Sequence, residues 1–196
     1  KATARKRALS VFEDAAICES HPYTLRKGIQ THGARLHGDR LLLPLRDAEG
    51  TIHTLQFIDP DGKKRFLTGG RKAGYYFDIG QPDSVLCLAE GFATGASIHE
   101  ATGYSVAVAF DAGNLAPVAK ALRKKHPDLR MIVCADDDHL TAGNPGISKA
   151  TEAALSIGAL LAVPKFGADR PERATDFNDL HQCMGLDEVR QKRADG

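Results

Sequence analysis

Much that would narrow the function of this 196-residue chain is missing from it. No run approaches the ~18 consecutive apolar residues of a membrane span. No basic stretch leads into a hydrophobic segment as in a signal peptide, so the chain reads as cytoplasmic with no membrane partner. Lys+Arg 26 against Asp+Glu 25 leave a formal net charge of +1. Whole-chain charge therefore argues neither for nor against a polyanionic partner, and its distribution has to decide. There is no Walker-type phosphate loop and no dinucleotide fingerprint. The 4 cysteines, Cys18, Cys87, Cys134 and Cys183, are scattered. Cys18 and His21 are close, but no second pair at zinc-ligand spacing accompanies them, so the cysteines are expected as small core hydrophobes. His32, His37, His53, His126 and His181 likewise show no ligand spacing. Internal repeats and low-complexity tracts are absent.

What is present is enough to fill a core. Apolar residues make up 42% of the chain, sufficient for one ordinary domain or two small ones. The chain begins at Lys1 rather than methionine and ends in a charged tail, which suggests an excised fragment. Residues 2–19 have a helix-compatible pattern that His21-Pro22 should stop, with a short helix around Tyr23–Gly28. Leu41–Leu45 and Ile52–Ile58, separated by Asp47-Ala48-Glu49-Gly50, read as a hairpin. Asp59-Pro60-Asp61-Gly62 is a second turn leading to a strand at Lys64–Leu67. An antiparallel unit results.

From Asp83 onward the pattern changes. Four apolar runs, Val85–Ala89, Ser105–Ala109, Met131–Ala135 and Ala159–Val163, alternate with amphipathic stretches Phe92–Thr102, Asn114–His126 and Pro145–Ile157. This is the β-α-β signature of a parallel sheet. Gly103 and Gly158 suit left-handed helix ends, and Asn144-Pro145 suits a cap and first turn. The seam falls at Gln81-Pro82-Asp83, giving an α+β subdomain over 1–82 and an α/β domain over 83–196.

The chemistry concentrates at strand ends. Glu90 follows the first run, and Asp136, Asp137 and Asp138 follow the third. Parallel strands joined by crossover helices finish on one edge of the sheet, so these acids should meet there. Carboxylates converging in this way suit a hard divalent cation, Mg²⁺ or Mn²⁺, and hence phosphoryl or nucleotidyl transfer. Asp136 and Asp138, two apart, should point the same way. The alternative is that Asp137 and Asp138 only cap a turn or complement a helix dipole. Asp111 is either a further ligand or a hydrogen-bond acceptor for its own loop. Asp176 and Asp179 in "ATDFNDLH" either reach the acidic edge or start a terminal helix. Lys63, Lys64, Arg65, Arg71 and Lys72, interleaved with Tyr75, Tyr76 and Phe77, combine cations for phosphates with aromatic faces for bases. A solvated basic turn is the other reading.

Taken together, Glu90-Gly91, Asp136-Asp137-Asp138 and the downstream "DFNDL" resemble the Toprim fold of primases, topoisomerases and certain nucleases. The upstream "DRLLLPLRDAEGTIHTLQF", with its Arg46-Asp47 pair, and "KKRFLTGGRKAGYYFDIG" resemble the region preceding Toprim in DnaG-type primases. "AEGFATGASIHEATG" and "NPGISKA" look closest to primases of conjugative plasmids, phages and other mobile elements. The resemblance implies a Rossmann-like four-stranded, mainly parallel sheet flanked by helices, preceded by a small α+β subdomain. It implies a primase core that joins ribonucleoside triphosphates on a single-stranded DNA template. Glu90, Asp136 and Asp138 would be the catalytic metal site, with Asp179 or Asp176 added, and Arg46, Lys64, Arg65, Arg71 and Lys72 would bind nucleotide or template. A replicative helicase, or fused helicase and zinc-binding modules, would lie outside the chain. Asp137 stands where glycine is usual in that family, and "HLTAGNPG" lengthens the following loop. The alternatives are a metal-dependent Toprim nuclease and a non-catalytic nucleic-acid-binding module.

Overall fold

The computed structural model describes residues 2–191; Lys1 and most of the charged tail lie outside the described residues. The chain opens with α1 (Ala2–Asp14), β1 (Ala16–Ile17), α2 (Pro22–Lys27), β2 (Arg35–His37), β3 (Arg40–Arg46), β4 (Ile52–Ile58) and β5 (Lys64–Phe66). The strands form one sheet in sequence order, antiparallel throughout. In the β3–β4 turn, Asp47 Oδ1 accepts from the Glu49 and Thr51 amides at 3.1 and 2.8 Å, the local bonding that makes aspartate a turn residue. The first helix ends earlier than its pattern suggests, and the residues after it pair with β2 instead.

The unbroken apolar run of β3 has a simple cause: both faces of this strand are covered. Leu42 packs with Leu55, Phe57 and Ala8 beneath α1, whereas Leu41, Leu43 and Ile58 face the opposite way into the larger core. Period-2 alternation thus feeds two cores from one strand.

The second sheet contains β6 (Phe77–Ile79), β7 (Val85–Ala89), β8 (Ser105–Val108), β9 (Arg130–Cys134) and β10 (Leu160–Ala162), in the order β10-β9-β7-β8-β6. All neighbours are parallel except β6, which runs antiparallel to β8. The crossover helices are α3 (Phe92–Thr102), α4 (Ala112–Lys125) and α5 (Pro145–Ile157), followed by α6 (Phe177–Met184) and α7 (Leu186–Gln191). Helices α4 and α5 cover one face through Leu115, Val118, Leu122 and Ala153. On the other face α3, α6 and α7 pack with residues of the first sheet. Cys18, Cys87 and Cys134 are buried as expected, but Cys183 is exposed. Both nitrogens of His21 are engaged, Nδ1 by the Tyr23 amide at 3.2 Å and Nε2 by Asp39 O at 2.9 Å.

Two expectations need correction. The sheet has a fifth strand, β6, which lies upstream of the 81–83 seam and yet hydrogen-bonds into the second sheet. Tyr76 and Phe77, read as base-stacking surface, are core residues at 2% and 5% exposure, with Phe77 edge-on to Phe92. The Tyr76 backbone also pairs with Arg46 of β3, tying the two sheets together. Among the described residues no helix is long and apolar enough to cross a membrane.

Candidate active site

Every parallel strand ends on one edge, and the acids follow. Glu90 comes directly after β7; Asp111 follows β8 and caps α4; Asp136–Asp138 follow β9; Asp176 caps α6. Glu90, Asp136 and Asp176 line a cleft of about 390 Å³ together with Thr94 and Phe110. Its opposite wall carries Tyr23, Arg26 and Lys27 from α2, Asp61 and Gly62 from the 59–62 turn and Lys64 from β5. An acidic rim thus faces a basic one across the junction of the two sheets. Phe110 holds a backbone φ of 72°, rare for a bulky residue. Its amide donates to Glu90 O at 2.7 Å, and its ring meets Phe66 edge-on at 6.0 Å.

The carboxylates crowd one another. Asp136 is pushed up to about 9, first by burial and then by Asp176, Glu90 and Asp138, with Lys64 opposing. Burial, then Asp138 and Asp111, raise Glu90 above the ordinary carboxylate range. Burial followed by Asp179 does the same to Asp176, despite hydrogen bonds from the Asp179 amide and Thr94 Oγ1. Lys64 is an exposed residue, yet desolvation beside the cleft, helped by Lys27, pulls its ammonium down although Asp176, Asp136 and Glu90 favour its charge.

The donor set fits a hard divalent cation. Asp136 Oδ1 is buried without any hydrogen-bond partner, which is costly unless something else satisfies it. Asp176, Glu90 and Asp138, which crowd it, are carboxylates, the oxygen ligands Mg²⁺ and Mn²⁺ prefer. As placed, no three His, Cys, Asp or Glu side chains among the described residues stand close enough to hold one ion.

Asp138 reaches the same edge differently: its Oδ2 accepts from the Gly146 amide at 2.9 Å. A Cβ on residue 146 would collide with the Asp136 carbonyl oxygen, so only glycine lets the start of α5 press against the acidic loop. Asp179, expected among the metal ligands, is turned away. It forms a capping box with Asp176, its Oδ2 accepting from the Thr175 and Asp176 amides at 2.8 and 3.3 Å. Asp176 occupies the cleft in its place.

Strand alternation divides the basic set. Lys64 and Phe66 face the cleft side, while Arg65 points away and pairs with Asp59 at 3.5 Å. Lys72 pairs with Asp111 at 2.7 Å and lies over the Phe66 ring, which answers the question over Asp111 in favour of capping and ion pairing. Arg71 sits over Tyr75 beside a separate pocket of about 250 Å³ with His53 and Arg5. Arg46 lies away from the cleft, bonded to Gly50 O and over the Phe12 ring; Asp47 pairs with His53, not Arg46. Arg26 and Lys27 carry no site signal in the sequence, because basic residues ahead of a C-terminal glycine look like dipole partners of their own helix. Thr94 and Arg170, which buttress Asp176 and Asp137, had no sequence signal.

Comparison with known proteins bears on the fold and the family. The chain is 38% identical over 178 residues to the DNA primase TraC of Escherichia coli, covering 85% of this chain and 17% of that protein. It therefore spans only about a sixth of that relative's length. The primase fragment of the bacteriophage T7 primase-helicase superposes with a TM-score of 0.67 at 16% identity, covering 93% of this chain and 77% of that one. The DnaG primase catalytic domain bound to single-stranded DNA superposes with a TM-score of 0.57 at 16% identity, covering 80% and 51%. These likenesses give the chain the fold of a primase core. Residues 85–187, more than half of the chain and the stretch that holds Glu90, Asp136, Asp138 and Asp176, match the Toprim domain, and the chain belongs to the Toprim family.

Proposed function

We propose that the chain is the catalytic core of a DNA primase, which forms short RNA primers from ribonucleoside triphosphates on single-stranded DNA. The observation that carries this reading is the cleft itself, with Glu90, Asp136 and Asp176 on one wall and Lys64, Lys27 and Arg26 on the other. Such a pairing fits a triphosphate whose charge needs cations on both sides. Glu90, Asp136 and Asp138, with Asp176 in place of Asp179, hold Mg²⁺ or Mn²⁺. When bound, the ion supplies Lewis acidity toward the 3′-hydroxyl and the phosphates. Lys64 and Lys27 take up phosphate charge from the opposite wall, and Thr94 fixes the rotamer of Asp176 by its 3.0 Å hydrogen bond. No side-chain nucleophile is needed, since the attacking group is the primer's own hydroxyl. Positioning and charge stabilisation then account for the rate.

Arg71, with Tyr75 and His53 at the second pocket, and Arg65 extend the basic surface toward the template. By analogy with the T7 primase-helicase, a replicative helicase or a fused helicase or zinc-binding module works beside this core, in the cytoplasm. The test is to incubate the chain with single-stranded DNA, labelled ribonucleotides and Mn²⁺ or Mg²⁺. Template-dependent ribo-oligonucleotides lost in Glu90→Gln and Asp136→Asn are the expected outcome. Shortened DNA would make the chain a metal-dependent nuclease, and binding without either product would make it a recognition module.

A further inference from the structure

The middle acid of the Asp136-Asp137-Asp138 run does not face the cleft. Asp137 Oδ2 accepts from Arg170 Nη1 at 2.6 Å, and its Oδ1 accepts from Asn144 Nδ2, also at 2.6 Å. The same guanidinium donates from Nη2 to Asp137 O at 3.1 Å, and from Nε and Nη2 to Ala174 O at 2.9 and 2.7 Å. The Asp137 amide donates to Thr175 O at 2.7 Å. Both partners are largely buried, at 22% and 16% side-chain exposure, and Arg170 is backed by the Phe166 ring at 4.6 Å. One planar fork therefore joins the acidic loop to the segment that ends in Asp176. Asn144, the cap of α5, joins that loop to the helix whose Gly146 amide holds Asp138.

We infer that Arg170 is a positioning residue: through Asp137 it locks the loop of Asp136 and Asp138 to the segment bearing Asp176, so that acids from distant parts of the chain reach one cleft in fixed register. An acid at position 137 is then useful because it has been taken out of the metal site and made into an anchor. The geometry favours arginine over lysine, because four hydrogen bonds leave the fork in one plane and a single ammonium cannot reproduce them.

The sign of one measurement separates this role from simple electrostatics. Arg170 is a cation near a cation site, and removing it also frees the Asp137 carboxylate. A purely electrostatic bystander would therefore bind divalent cation more tightly once truncated to alanine. A positioning residue would do the opposite. The inference rests on the cation reading above for this readout alone, and a second readout is independent of it. In EDTA, hydrogen–deuterium exchange is compared for the wild type, Arg170→Ala and Arg170→Lys. Exchange in segments 135–147 and 174–177 is expected to quicken at least tenfold in Arg170→Ala, with β7 and β8 unchanged and Arg170→Lys intermediate. Unchanged exchange in those segments overturns the anchor, as does full rescue by lysine, which would reduce the role to charge. Titration with Mn²⁺, followed by the loss of the free-ion electron paramagnetic resonance signal, should show at least tenfold weaker binding in Arg170→Ala. Equal or tighter binding also overturns the inference. Failure of the wild type to bind Mn²⁺ would instead refute the cation reading and leave the exchange data to decide on Arg170. Should Arg170→Ala not fold, Asp137→Asn, which keeps the size and weakens the pair, is carried through the exchange measurement with the same expected sign; exchange in 135–147 and 174–177 that stays at the wild-type rate overturns the anchor, and cation affinity is not used for this variant because it also loses an anion.

Discussion

Replacing Asp136 with asparagine should make the metal-free protein more stable, and the size of the gain should depend on pH in a defined way. The carboxyl is held near 9 against an ordinary value of 3.8. A group raised in the folded state is protonated there while it ionises in the unfolded chain, so stability is intact below pH 4 and falls as pH climbs toward 9. For one proton the slope is about 1.4 kcal/mol per pH unit, which reaches at most about 4 kcal/mol at pH 7. Asparagine has a similar shape and no charge to lose. At about 2–4 °C per kcal/mol for a chain of this size, Asp136→Asn is expected to melt up to about 10 °C higher than wild type at pH 7 in EDTA. At pH 4.5 the two should converge. Differential scanning fluorimetry across pH 4.5–8.5 in EDTA makes the measurement, and repeating it with Mn²⁺ adds the converse arm: the wild type should gain stability by ligand linkage, the variant should not. A wild type whose melting temperature is flat with pH in EDTA, or a variant no more stable than wild type at pH 8, would refute the reasoning that buried like charges await a cation.

Gly146→Ala should lower the unfolding free energy measured in urea by about 1–3 kcal/mol, as overpacking does, because its Cβ meets the Asp136 carbonyl; helix propensity alone would raise it by about 1 kcal/mol, so the sign is decisive. Tyr76→Ala and Phe77→Ala, in the core, should each cost roughly 3–5 kcal/mol, whereas Tyr75→Ala should leave urea stability within about 1 kcal/mol and weaken single-stranded DNA binding by fluorescence anisotropy; the reverse pattern would restore the surface reading of the aromatic run. Lys64→Ala should weaken ribonucleotide binding at least tenfold by calorimetry, whereas Arg65→Ala, on the far face of β5, should leave it within about twofold and reduce the salt slope of DNA binding by about one; equal effects would mean that strand alternation does not sort the two.

The parallel half of the fold was legible because its signals agree. The first three of the four apolar runs lead into an acid, Glu90, Asp111 or Asp136, and Asn144-Pro145, Gly103 and Gly158 fall where helix ends require them. β1 and β2 escaped because strands of 2 and 3 residues leave no period to read. β6 escaped for another reason: its aromatics follow closely on cations, and aromatic residues among cations suit a base-binding surface as well as a core edge. Glu90, Asp136 and Asp138 were legible as strand-end acids, since topology alone sends them to one edge. The choice between Asp176 and Asp179 was not. Both members of a capping box are carboxylates three residues apart, and only the helix direction reveals which one lines the cleft. Arg46 was carried over with a hairpin that formed as expected, but its side chain turned to Phe12 and Gly50.

Leu41, Leu43 and Ile58 of the first sheet share a single apolar cluster with Cys87, Val106 and Val108 of the second, and Arg46 and Tyr76 stitch the backbones together beside it. The two banks of the cleft are therefore welded rather than hinged, and a clamshell motion would have to tear open a dry interior. What can still move lies at the edge, at side chains such as Arg26, whose guanidinium donates to Pro60 O at 3.0 Å across an exposed surface.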